Sequence, residues 1–317
     1  MLTARSVTLA IAALGAACFD CTFAEPARAR SVKACSTISK QELASCKAAT
    51  ASDKAIALAK CANMSDPTAI KACKGQASSD AADEAGNCKD ERDLRATVCG
   101  RLGEAPYTPD FSPQHFTTST TIDNPLFPLV PGTTFIYEGQ TADGFEHDEF
   151  SVTHDTKVID GVTCVEVHDT AKLDGVLSED TRDWFAQDDA GNVWYCGENT
   201  ATVLDGLPQS LEGSWTGGVD GAQPGIIMEA SPMIGDFYRQ EFLVGEAEDM
   251  AEVKSLTDSA MVPFGTFAND CLRTEETSTL SPGDVENKYY VTNVGNVLTV
   301  DVATGERSEL IAITTGN

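Results

Sequence analysis

The sequence predicts a mainly β protein: an antiparallel meander forming a curved sheet or open barrel-like sandwich, preceded by a small disulfide-braced helical hairpin. Three observations carry this. After residue 131, short runs rich in aromatic and β-branched residues alternate with Asp-Gly and other Gly-containing turns. Residues 35–100 contain no aromatic residue and are rich in Ala, Lys, Asp and Cys. Their six cysteines are separated by 10, 14, 11, 14 and 10 residues, a pattern that reads the same in both directions.

In chain order, residues 1–24 read as an export signal. Arg5 supplies the positive start, Val7–Ala17 the apolar run, and Thr22-Phe23-Ala24 a cleavage site with small residues at its first and last positions. That run is too short to span a bilayer, and no other segment is apolar for long enough. Gly15-Ala16-Ala17-Cys18 is a degenerate lipoprotein site, so a lipid anchor at Cys18 is the lesser alternative to simple secretion. The expected location is extracytoplasmic, periplasmic or secreted, where disulfides form.

Segments such as KQELASCKAA and SDKAIALAKCA in residues 35–100 are strong helix formers. Ser65-Asp66-Pro67 supplies an N-cap and an early proline, so one helix ends near Met64 and another begins there. A hairpin turning at Ser65 places Cys61 opposite Cys73, Cys46 opposite Cys88 and Cys35 opposite Cys99. This nested pairing is favoured, although six cysteines allow 15 connectivities. The Gly, Ser and Asn of Gly75–Asn87 are expected to weaken or break the second helix. With few large apolar residues, cross-links must substitute for a core.

Residues 101–131 form a Pro-rich linker and entry loop, whose Phe111, Phe116 and Phe127 are expected to pack on the next domain. Residues 132–317 form the acidic antiparallel β domain. The expected strands are Thr133–Glu138, Phe145–His154, Lys157–Ile159, Val162–His168, Gly175–Gln187 and Val193–Gly197. They continue with Phe237–Val244, Ala251–Leu256, Cys271–Thr277, Glu286–Val291, Val297–Val302 and Ser308–Ile313. The aromatic hairpin over Asp180–Glu198 is expected to lie within the sheet, and Gly213–Pro232 reads as a Gly-rich excursion.

Several strings together, DWFAQDDAGNVWYCGE, VDGAQPGIIM, YRQE with GEAED, VPFGTFANDCL and NKYYVTNVGNV, resemble a family of uncharacterised bacterial secreted proteins. The resemblance covers roughly residues 120–313 and implies a β-rich exported domain with no assigned chemistry.

The formal net charge is -27. It belongs to the second part, which holds nine basic and 38 acidic residues after residue 100. Such a surface repels phosphate backbones and excludes nucleic acid as a partner. No cofactor motif occurs. Three of the four His precede Asp, at His147, His154 and His168, but a two-residue turn at Asp160-Gly161 sets His154 against Val167. His154 and His168 then face opposite sides of the sheet, and no metal site is expected. Asp188–Asn192 is oxygen-rich without EF-hand spacing, so turn chemistry explains it, with bound calcium as the minor alternative. Among Cys164, Cys196 and Cys271, one disulfide and one buried thiol are expected.

The leading functional reading is a non-catalytic binding or interaction protein. The alternative is a secreted carbohydrate-active protein, binding or hydrolytic. Candidate ligand contacts are Trp184, Trp194 and Trp215, which could stack on sugars, with Tyr238 and Arg239, which could grip a carboxylate. No catalytic residue is assigned.

Overall fold

A computed structural model describes residues 33–316. The export signal and Cys18 lie outside the described residues. Two helices, α1 (Ala34–Ala62) and α2 (Pro67–Leu102), form the expected hairpin. Asp66 caps α2, its carboxylate accepting from the Thr68 and Ala69 amides, with Pro67 in the first turn. Disulfides join Cys35–Cys99, Cys46–Cys88 and Cys61–Cys73, with Cα separations of 5.6, 5.8 and 5.6 Å. The nested pairing holds because equal helical rises face one another. The expected break in α2 does not occur. Gly75 and Gly86 sit in open space on a helix tied at both ends and mid-length, so their cost in helix propensity is absorbed by the cross-links.

The strands are β1 (Thr133–Gln140), β2 (Phe145–Ile159), β3 (Val162–Leu173), β4 (Val176–Gln187), β5 (Val193–Leu204), β6 (Leu207–Ser210), β7 (Trp215–Thr216) and β8 (Gln223–Met228). They continue with β9 (Phe237–Arg239), β10 (Glu241–Phe242), β11 (Asp249–Val262), β12 (Gly265–Ser278), β13 (Val285–Val291), β14 (Gly295–Asp301) and β15 (Arg307–Thr315). All pair antiparallel in one sheet of order β10-β8-β5-β4-β3-β2-β1-β15-β14-β13-β12-β11-β9, with β6 and β7 also on β5. Asp160-Gly161, Asp174-Gly175 and Asp205-Gly206 all have positive φ, the geometry of tight two-residue hairpins. The aromatic hairpin β4–β5 is paired on both sides, by β3 and β8.

The two ends of the order are neighbours in sequence. β9 pairs with β11, β10 pairs with β8, and Gln240 alone separates β9 from β10. The Gln240 amide donates to the Asp249 carbonyl at 2.9 Å. One stretch of chain therefore bridges both edges of a curled sheet, covering β11 at Met250–Glu252 and β8 at Gln223–Pro224. Gly225 on β8 makes this approach possible: a Cβ there would lie 2.4 Å from the Gln240 carbonyl carbon and 2.5 Å from the Arg239 carbonyl oxygen.

The structure departs from the sequence expectations in three places. The Gly-rich excursion contains β7 and β8, because its short apolar run Gly225–Met228 is needed to complete the sheet. β2 runs unbroken through His154, but a bulge lets Val152, not His154, face Val167. Cys164, Cys196 and Cys271 are all free and buried. Cys164 and Cys196 stand on β3 and β5 with β4 between them, roughly 10 Å apart from the usual strand spacing. That exceeds the Cα span of about 4.4–6.8 Å a disulfide tolerates.

The main core lies inside the sheet and includes Val165, Val167, Phe185, Met228, Val253, Tyr290 and Leu310. A second cluster on the outer face gathers Phe111, Phe116, Ile159, Trp184 and Trp194, so the linker packs as expected. Gly225→Ala should destabilise the chain by about 1–3 kcal/mol or more, since the clash is with backbone. Denaturant unfolding would check this; a change under about 0.5 kcal/mol would mean that the closure is loose.

Candidate functional site

Along the inward face of the sheet, apolar residues give way to acids. β3 reads Val165, Val167, Asp169; β4 reads Phe185 then Asp183; β2 reads Phe150 then Asp148. Two-residue periodicity sends all of these to one face. β5 adds Glu198, β10 Glu241, β11 Asp249 and β12 Glu276. The result is a chamber of about 320 Å³ lined by seven carboxyls. Phe127, Phe150, Phe185, Tyr195 and Tyr290 supply aromatic walls, with the Phe185 and Tyr195 rings stacked at 5.0 Å.

One amine, Lys288, faces these acids. Its Nζ lies 2.9 Å from Glu276 and 3.4 Å from Glu286. Burial opposes its charge, but those carboxylates more than compensate and hold the amine above its usual range. The remaining acids crowd one another. Burial pushes Asp183 up to about 7 although the Tyr195 hydroxyl donates to it at 2.5 Å. Burial, then the neighbouring Asp183, raises Glu198 to about 8. These two are direct cross-strand partners on β4 and β5. Glu241 is raised well above the carboxylate range by burial, then by Asp249 and Glu198, despite the Trp215 indole donating at 2.6 Å. Burial raises Asp148, and burial and then the neighbouring Asp148 raise Asp169 strongly. Two buried groups that line the chamber have no hydrogen-bond partner among the described residues: Asp148 Oδ1 and the Nε2 of Gln240, a residue only 3% exposed. An acceptor and a donor both await a partner in the chamber.

The five residues singled out from sequence are all buried, and none lines this chamber. Trp184 lies on the outer face with Lys157 Nζ 3.5 Å from its ring centre. Trp194 packs on Phe111 and Phe116, and its indole donates to Asp188 at 2.9 Å. Trp215 reaches Glu241 from behind the wall. Trp184 and Trp215 border one outer cleft, but no platform joins all three Trp. Tyr238 sits in the main core, and Arg239 faces a separate pocket beside the helices. The Asp188–Asn192 turn uses its carboxylates internally: Asp188 accepts from Ala190, Asn192 and Trp194, and Asp189 accepts from Thr117. His147 and His168 pair instead with Glu138, Glu149 and Asp180. Sequence reasoning misses the chamber acids because, in so acidic a domain, they count as solvating charge. Their signal is phase: Asp148, Asp169 and Asp183 each stand two residues from an inward apolar residue, Phe150, Val167 and Phe185.

Among the described residues, no helix is long and apolar enough to cross a membrane. Searches of protein-family models, curated proteins and solved structures found no match to this chain.

Trp194→Ala should cost about 3–5 kcal/mol, as for a large buried aromatic, read from denaturant unfolding. Asp183 and Glu198 hold protons in the folded chain that the unfolded chain releases above 3.8 and 4.5. Their contribution to stability is complete below those values and lost as pH rises through about 7 and 8. Melting temperature should fall from about pH 5 to about pH 9, and Asp183→Asn or Glu198→Gln should recover about 1–3 kcal/mol at the alkaline end. An unchanged slope in both variants would contradict this.

Proposed function

We propose that the protein is an extracytoplasmic binding protein whose chamber takes a small organic ammonium ion, a mono- or diamine. The carrying observation is seven carboxyls facing one Lys288 amine inside an aromatic-walled space. A cation would relieve the crowding that keeps those carboxyls protonated, and aromatic faces add cation–π attraction. The acids stand on seven different strands around the wall, which suits an extended ligand better than a single metal ion. Among the described residues, Cys46, Glu84 and Cys88 do converge within 4.8 Å, but Cys46 and Cys88 are joined in a disulfide. Export is supported by the three disulfides and by the signal-like start, and it accords with the resemblance to secreted proteins.

One observation favours the carbohydrate alternative as a second reading. Asp183 and Glu198 are adjacent carboxyls poised near neutrality, the kind of pair that moves protons at a glycosidic oxygen.

Calorimetric titration with 1,4-diaminobutane and with choline tests the leading reading. Binding should tighten as pH rises from about 6 to about 9, because ionised carboxylates favour the cation. Glu198→Gln should weaken it by about tenfold, the loss of one charged partner. If neither amine binds while neutral sugars do, or chromogenic glycosides are cleaved, the cation reading falls and the carbohydrate reading replaces it.

A further inference from the structure

A second, smaller cavity of about 90 Å³ lies between the helical hairpin and the sheet. Its key residue is Arg239, only 8% exposed. The guanidinium lies 4.1 Å from the Phe242 ring centre and 5.6 Å from that of Tyr107. Stacking of this kind holds the plane and leaves the N–H edges free. Among the described residues no carboxylate pairs with Arg239, and its buried Nη1 has no hydrogen-bond partner. A buried charged donor left unmet is costly, so its retention asks for an acceptor.

The acid that lines the same pocket is already committed. Glu248, 1% exposed, accepts from Arg95 Nε at 2.9 Å and Nη2 at 3.2 Å, from the Gly245 amide at 2.9 Å, and from the Thr279 hydroxyl. Arg95 also holds Glu91 at 3.1 Å. Arg95 thus serves Glu91 and Glu248, with Glu42 close by, while the hydrogen-bonding needs of Arg239 stay open. A dianion would meet Glu248 without further cations to support it. The rest of the wall is apolar, from Ile38, Leu102 and Phe242. The exposed Ala105 also lines the pocket.

From this we infer a second binding site, in which Arg239 grips the carboxylate of a short aliphatic monocarboxylate whose tail lies on the apolar wall. The planar fork of Arg matches two carboxylate oxygens. The site selects an anion although the protein as a whole is strongly acidic, because direct hydrogen bonding to a buried guanidinium outweighs screened charge at a distance. It is independent of the acidic chamber.

The test is calorimetric titration of the whole chain with sodium propionate, beside sodium phosphate, sodium chloride and propionamide at equal ionic strength. Propionate should bind at millimolar concentration or tighter, and the other three should not. Arg239→Met should weaken propionate by about ten- to a hundredfold, the usual loss for a charged hydrogen-bond partner. Should that variant fail to fold, Ala105→Phe carries the test from an exposed position: it should keep the wild-type melting temperature and lose propionate. No propionate binding, equal binding of propionamide or phosphate, or full affinity in either folded variant would each overturn the inference.

Discussion

The fold depends on one close approach of backbone to backbone. β8 and β11 are the penultimate strands at opposite ends of the sheet order, and the stretch Phe237–Phe242 reaches both. It can do so only because Gly225 presents no side chain to the Arg239–Gln240 peptide. The character of the interior depends on that closure. Without it the inward acids would face water and titrate normally. With it, they surround a confined space and raise one another's pKa values. The same stretch delivers Gln240 and Glu241 into the chamber and turns Arg239 outward, into the pocket beside the helices. The break between β9 and β10 at Gln240 thus lets neighbouring residues line two different cavities.

The chamber is a cost in stability that the rest of the chain carries. Crowded carboxyls with raised pKa values oppose folding at neutral pH. The apolar half of the interior, from Val165 and Val167 across to Val253 and Leu310, supplies the opposing stabilisation.

Much of the architecture was legible in the sequence. The cysteine spacing contained the helical hairpin and its three cross-links, because helical rise converts sequence distance into spatial distance directly. Most strands were visible through turn chemistry, as at Asp160-Gly161 and Asp174-Gly175. The Gly213–Pro232 strands were hidden because β7 has two residues and β8 carries a Pro and a Gly, neither of which signals a strand. The site was less legible. Tryptophans draw the eye as ligand platforms, but Trp184, Trp194 and Trp215 each spend their indole N–H on a neighbouring acid within the protein. Asp169 and Asp183 look like ordinary surface charge until the register of β2, β3 and β4 shows which way they point. Register in turn depends on bulges, such as the one between Val152 and Thr156, that no local pattern announced.

The position of the outermost disulfide has a mechanical meaning. The chain enters the hairpin at Ala34 and leaves it after Leu102, and Cys35–Cys99 joins the two helices at that same end. The Ala34 amide also donates to the Glu104 carbonyl across the base. A pull applied at Lys33 therefore passes through one covalent bridge into the linker and the sheet. The buried Arg95–Glu248 ion pair adds a second tie from α2 to the sheet close to that bridge. Past Arg95 and Glu91 the hairpin is a side arm to the line of force, joined within itself by Cys46–Cys88 and Cys61–Cys73.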